Sequence, residues 1–306
     1  MRTLFALLAL YSIAAADELV IPLKVASGHI GPHGDNRIFA VPVRCGGVEA
    51  DWIWGCGGYT TVSQAFANRC ALTILPESDL EDVRDADGQP MFVGEARTTL
   101  WFGGRTHKST VKVMRDSIYN RGMTGVIGYD VAIAFQWEIN PDPLKPTLTL
   151  RPPGSQTPRK PILTLPLKDD RDNLWINVKI RNVPVDVLLM PQSSDIQIAP
   201  DLQRKWDIES GLQHDVVGYL GPERTRKLTG GKDCVELSPE LREHNLVVIL
   251  VGDKNRPELT PAARSGIGQS LLNRFHYAVD ARLGKFMIYQ RCSATTRPAT
   301  PDTRLP

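Results

Sequence analysis

The chain has 306 residues, 42% of them hydrophobic, with 36 basic against 34 acidic side chains and a formal charge of +2. That composition supports a sizeable core, and the balanced charge, free of long like-charged blocks, gives no electrostatic basis for a nucleic-acid partner. No segment approaches the roughly 20 consecutive apolar residues of a spanning helix, so no stable membrane span is expected.

The N-terminus pairs a positive start, Met1-Arg2-Thr3, with the apolar run Leu4 to Leu10 and the small residues Ala14-Ala15-Ala16. This predicts a signal peptide over 1–16 and a secreted or periplasmic protein beginning at Asp17. Residues 19–25 and 37–43 then alternate apolar and polar side chains, the period of half-buried strands. Between them lies a Gly/Pro loop with His29 and His33, which share no helix face and suggest no metal site. Arg44-Cys45-Gly46-Gly47 predicts a hairpin turn, and Val48 to Trp54 a strand that runs into the small-residue loop Gly55-Cys56-Gly57-Gly58.

A short helix is expected over 64–72, a turn at 85–88, and a long hairpin from Phe92 to Phe102 through Gly103-Gly104 to 109–114. Gly125-Val126-Ile127-Gly128 leads into a second short helix, and strands at 136–139 and 147–150 close a first lobe over 17–150. The Pro-rich stretch 151–161 reads as a linker. A second lobe over 162–292 repeats the order: strand 175–180, turn Arg181-Asn182, strand 183–189, the loop Met190-Pro191-Gln192-Ser193-Ser194-Asp195, a short helix near Leu202, a hairpin, Ser265-Gly266-Ile267-Gly268, a helix to Phe275, and strands at 277–279 and 286–289. Residues 293–306, rich in Thr and Pro, predict a disordered tail.

The repeat can be put in register by counting. Met190 lies 136 residues after Trp54, and Gly268 lies 140 after Gly128. Strand alternation fits a second register in which Asp186 matches Asp51 at an offset of 135, and this sets Gly55 rather than Trp54 opposite Met190. Both registers stay open at the level of sequence.

Strand, hairpin, strand, small-residue loop, short helix, hairpin and apolar-apolar-Gly segment, met twice, resemble the pepsin and retropepsin superfamily of aspartic proteases. The motifs that carry the resemblance are Gly125-Val126-Ile127-Gly128-Tyr129-Asp130 and Gly266-Ile267-Gly268-Gln269-Ser270-Leu271-Leu272. The resemblance implies an all-β chain, a bilobal pepsin-like double β-barrel of two retropepsin-like repeats with short helices. It also implies a cleft between lobes, floored by one aspartate from each loop and covered by a hairpin, for which Phe92 to Phe102 is the candidate. Two such carboxylates share a proton and activate water.

Here the two positions hold Trp54 or Gly55 and Met190, none of which carries a titratable side chain. Pro191 and Gln192 depart further from the pattern. The expectation is a catalytically inactive pseudoprotease whose cleft, lined by Trp54, Gly55, Cys56, Met190, Pro191 and Gln192, binds an extended peptide or protein ligand.

One alternative is a residual aspartic-type endopeptidase using the displaced acids Asp51, Asp130 or Asp195; another is a structural or interaction protein with a closed cleft. Cys56 has no basic neighbour in sequence to activate it as a nucleophile. Five cysteines leave at least one outside any intrachain disulfide, and only Cys56 with Cys70 is favoured by closeness. No cofactor is expected, because Leu271 stands at the third glycine position of a G-x-G-x-x-G loop and no other phosphate motif occurs.

Overall fold

The computed structural model describes residues 18–27, 30–31, 34–76, 89–116, 124–170, 172–205, 215–218, 221–228, 234–244, 246–251 and 264–292. The expected signal peptide, the His29 and His33 pair, the turn at 85–88 and the C-terminal tail lie outside these residues.

Period-two burial builds the strands. Leu174, Ile176, Val178 and Ile180 are buried while Asn177 and Lys179 between them face solvent. The first unit runs β1 (Leu19–Pro22), β2 (Lys24–Ser27), β3 (Ile30–Gly31), β4 (Gly34–Asp35), β5 (Ile38–Cys45), β6 (Val48–Trp54), β7 (Thr61–Ser63) and α1 (Gln64–Arg69). It continues through β8 (Phe92–Phe102), β9 (Arg105–Met114), β10 (Gly125–Ile127), α2 (Tyr129–Ala132), β11 (Gln136–Asn140) and β12 (Thr147–Arg151).

The second unit opens with β13 (Leu163–Asp169), β14 (Leu174–Ile180), β15 (Val183–Leu189), β16 (Ile196–Ile198) and α3 (Pro200–Lys205). Next come β17 (Asp215–Gly218), β18 (Gly221–Leu228), β19 (Val235–Ser238), β20 (Leu241–Glu243) and β21 (Leu246–Val251). It ends on β22 (Gly266–Ile267), α4 (Gln269–Leu272), β23 (Phe275–Asp280) and β24 (Lys285–Arg291).

Both expected hairpin turns form, each with two consecutive residues in the left-handed region. Gly46 and Gly47 (φ +54° and +80°) join β5 to β6, and Arg181 and Asn182 (φ +54° and +64°) join β14 to β15.

The units meet in a sheet that reads the same from either end: β1-β12-β11-β23-β24-β13. Its centre is the antiparallel pair β11 and β23, where Glu138 faces Ala278. Glu138 and Ala278 are themselves 140 residues apart, the offset of the two glycine motifs, so the local twofold axis passes between them. Hydrophobic side chains from both units join in one core that extends from Ile21 to Ile288.

This sharing overturns the expected pepsin-like double β-barrel. The six-stranded sheet continues through β13 into β14, giving a 15-stranded open sheet that ends at β1 and β17. The remaining strands of the first unit form a separate 7-stranded sheet, in which β5 also touches β8 at two register pairs, and neither sheet is a closed barrel. Closure would need each unit to keep its terminal strands. Here β11, β12, β23 and β24 are committed to the seam instead.

The polar face of the seam is buried as well. Arg151 Nη1 donates to Glu138 Oε2 (2.6 Å), and His276 Nε2 lies 2.5 Å from Glu138 Oε1. Arg159 Nη1 meets His276 Nδ1 at 2.8 Å, and a guanidinium only donates, so Nδ1 accepts and the proton sits on Nε2, facing Glu138. Gly154 N–H donates to Asp280 Oδ2 (2.8 Å). The 151–161 stretch, expected as a linker, is thus bonded to this face at three points, Arg151, Gly154 and Arg159.

Candidate functional site

Matching backbone contacts seat the two loops. Gly55 N–H donates to the Ile127 carbonyl (3.0 Å), and Met190 N–H to the Ile267 carbonyl (2.9 Å). Tyr129 N–H donates to Gly58 (2.8 Å), and Gln269 N–H to Ser193 (2.9 Å). In the parallel pairings, Ile127 stands beside Trp54 and Ile267 beside Leu189. The structure therefore selects the 135 register, in which Gly55 is the counterpart of Met190.

Gly128 and Gly268 explain why the glycine motifs are needed: a Cβ at 128 would lie 2.2 Å from the Tyr59 carbonyl carbon, and one at 268 would lie 2.3 Å from the Asp195 oxygen.

Trp54 points into the core rather than toward a ligand. It is 1% exposed and meets Trp137 edge-on (5.9 Å), and Trp137 meets Tyr277 in the same way (6.0 Å), so an aromatic ladder crosses the seam. Cys56 is also buried, and its Sγ donates to the Leu189 carbonyl of the other unit (3.3 Å). Its counterpart Pro191 has no donor to return that bond; instead its carbonyl accepts from Gln269 Nε2 (2.7 Å).

Met190 lies over Gly266 in its own unit, with Sδ 2.1 Å from where a Cβ at 266 would sit. The Gln192 amide oxygen lies beside Gly55, buried and without a hydrogen-bond partner.

Two further contacts knit the units at this level. Gly58 N–H donates to the Asp172 carbonyl (2.9 Å), and the Tyr129 hydroxyl donates to the Asp169 carboxylate (2.6 and 2.7 Å). Burial and this partner raise the Tyr129 phenol well above its ordinary value.

Each of the three displaced acids has partners of its own. Asp51 pairs with Lys24 (3.0 Å) on the solvent side of its strand. Asp130 accepts from Thr60 N–H (2.9 Å), Thr60 Oγ1 (2.6 Å) and Ser109 Oγ (3.0 Å), which fixes the first loop from within its own unit. Asp195 accepts from Ser194 Oγ (2.8 Å). Burial pushes the Cys56 thiol far above its ordinary range, which keeps it protonated and poorly nucleophilic.

The hairpin expected to cover a cleft forms, but its tip goes elsewhere. A Cβ at Gly103 would lie 2.7 Å from Leu19 Cδ2 and 2.9 Å from Ile21 Cγ1, so the turn packs against β1. Its strands are integrated in the sheet, β9 against β7 and β8 against β5. Sequence reasoning passed over Gln192 as a free acceptor, and it missed the Glu138, His276 and Arg151 network. The available signal was that these charged or titratable residues lie within strands of alternating apolar and polar side chains.

No protein-family model matches the chain, and no curated protein matches it. Among solved structures it is similar to a retropepsin-like aspartic protease from Rickettsia conorii, with 15% identity and a TM-score of 0.30 over 41% of this chain and 88% of that one. No described helix is long and apolar enough to cross a membrane.

Proposed function

We propose that this chain is a non-hydrolytic, aspartic-protease-like protein that holds an extended peptide or protein segment along the seam between its two units. One observation carries the reading: the twofold-related loop positions are Gly55 and Met190, and neither can take up or return a proton. The nearby acids support it, because Asp51 is neutralised on the surface by Lys24 and Asp130 serves the loop backbone. The half-exposed Tyr59 ring at the end of the first loop supplies apolar surface for such a segment to cover.

The test has two arms on the same purified protein. A peptide library is scored for saturable binding by fluorescence anisotropy and for cleavage at acid and neutral pH. Binding without cleavage is expected; turnover blocked by a transition-state mimic of aspartic proteases would overturn the proposal and favour an endopeptidase that uses displaced acids.

A second reading, a structural or interaction protein with a closed seam, is favoured by the burial of Trp54 and Cys56 and by the bonds from Cys56 to Leu189 and from Gly58 to Asp172. Absence of any saturable peptide binding selects it. Export belongs to the first reading through the Met1 to Ala16 pattern, and N-terminal sequencing of the secreted protein should start at Asp17.

A further inference from the structure

Cys45 ends β5 immediately before the Gly46-Gly47 turn, and Cys70 caps the C-terminus of α1. The turn lies directly on that cap. A Cβ at Gly46 would be 2.4 Å from the Cys70 carbonyl oxygen and 2.9 Å from the Cys70 Cβ. Both side chains are buried, 0% and 5% exposed, and both cysteines are free thiols, with Cys45 Sγ 3.4 Å from Thr98 Oγ1. No third metal-ligating side chain joins them among the described residues.

We propose that Cys45 and Cys70 are a disulfide-forming pair that closes a covalent ring around the first candidate loop. The ring would contain β6, the loop from Gly55 to Thr60, β7 and α1, and would fasten the helix that follows the loop to the hairpin that precedes it. Cys56 lies inside the ring and takes no part, since its thiol is engaged with Leu189 in the other unit. The pairing differs from Cys56 with Cys70, the one favoured by closeness in sequence. The second unit has no such device: Ile180 occupies the place of Cys45 before its turn.

The oxidant is a low-molecular-weight disulfide. One cysteine thiolate attacks a sulfur of that disulfide and releases the first small thiol. The second cysteine attacks the resulting mixed disulfide and releases the other, so two protein thiols become one S–S bond while one external disulfide becomes two thiols. Burial and the neighbouring thiol push Cys70 up to about 12, so the exchange belongs to the folding chain, before the pair is enclosed.

The full chain is refolded in a glutathione redox buffer and, in parallel, in excess reductant. Each sample is then alkylated in denaturant, digested and mapped by mass spectrometry. The oxidised sample should yield a peptide pair linked through Cys45 and Cys70, with Cys56 alkylated, and should melt about 5–10 °C above the reduced one. Cys56→Ala should leave the link intact; Cys45→Ala should abolish it and the difference in melting. Recovery of Cys45 and Cys70 both alkylated from the oxidised wild-type sample, or of either linked to another cysteine, overturns the proposal whether or not the variants fold.

Discussion

The loop from Gly55 to Thr60 and the loop from Met190 to Asp195 share one backbone but are finished by different side chains. Each hangs from the same two hydrogen bonds and rests on a glycine that admits no Cβ. In the first, Asp130 gathers Thr60 and Ser109, and Cys56 reaches across the seam. In the second, Ser270 takes the place of Asp130 and its hydroxyl has no partner, while Pro191 takes the place of Cys56. The frame therefore depends on glycine contacts and main-chain bonds, and the side chains at the loop tips are free to diverge. One main-chain frame thus carries unlike side chains at its two tips.

The strongest way to break this equivalence is to fill the two glycine contacts. Gly128→Ala and Gly268→Ala should each cost about 3 kcal/mol or more, because the new methyl meets backbone rather than a movable side chain. Urea unfolding should give similar losses, and a large loss at one site with none at the other would end the correspondence. Trp54→Ala should lower stability by about 3–5 kcal/mol through loss of the edge-on contact with Trp137, measured in the same way.

Asp130→Ala should cost about 1–3 kcal/mol by stranding the Thr60 donors, whereas Ser270→Ala should change stability by less than about 0.5 kcal/mol. Equal effects would contradict the side-chain difference between the loops.

An acid titration probes the seam beneath both. Burial alone would raise the Glu138 carboxyl, but bonds from His276 and Arg151 outweigh it and bring the group below its ordinary value. A carboxylate depressed on folding contributes stability above its unfolded pKa, and that contribution is lost as pH falls through the lower folded value. Wild type should therefore lose stability below about pH 4.5 more steeply than Glu138→Gln, which urea midpoints across the acid range will show. At Cys56 the expected effect is modest: alanine should cost about 0.5–1.5 kcal/mol, and serine, which keeps a donor toward Leu189, less.

What the sequence disclosed was local. Gly128 and Gly268 announce themselves because a residue that must touch backbone can only be glycine, and the turns at Gly46-Gly47 and Arg181-Asn182 follow from the strand patterns on either side. Alternation also contained the correct register, since it matched Asp51 with Asp186.

Partner choice was hidden. Trp54 sits next to a loop in sequence, but its position is decided by Trp137 and Tyr277, which arrive from β11 and β23. Phe92 to Phe102 was readable as a hairpin strand, but nothing local to it says that Gly103 will land on Leu19 and Ile21. The expected closed barrels failed for the same reason, because only the assembled chain shows β13 passing from β24 to β14. Gly154 and Arg159 fall in the stretch that reads as a linker, and their ties to Asp280 and His276 appear only in three dimensions.

The pairing of Glu138 with Ala278 at the centre of the shared sheet has a consequence for how such a molecule could be assembled. In a complex of two identical half-length chains, the residue on the axis would face its own copy, and two enclosed carboxylates would stand about 5 Å apart with no water to separate them. Joining the halves in one polypeptide lets the two sides of the axis differ, so a methyl group can sit opposite an ionised glutamate that Arg151 and His276 already satisfy.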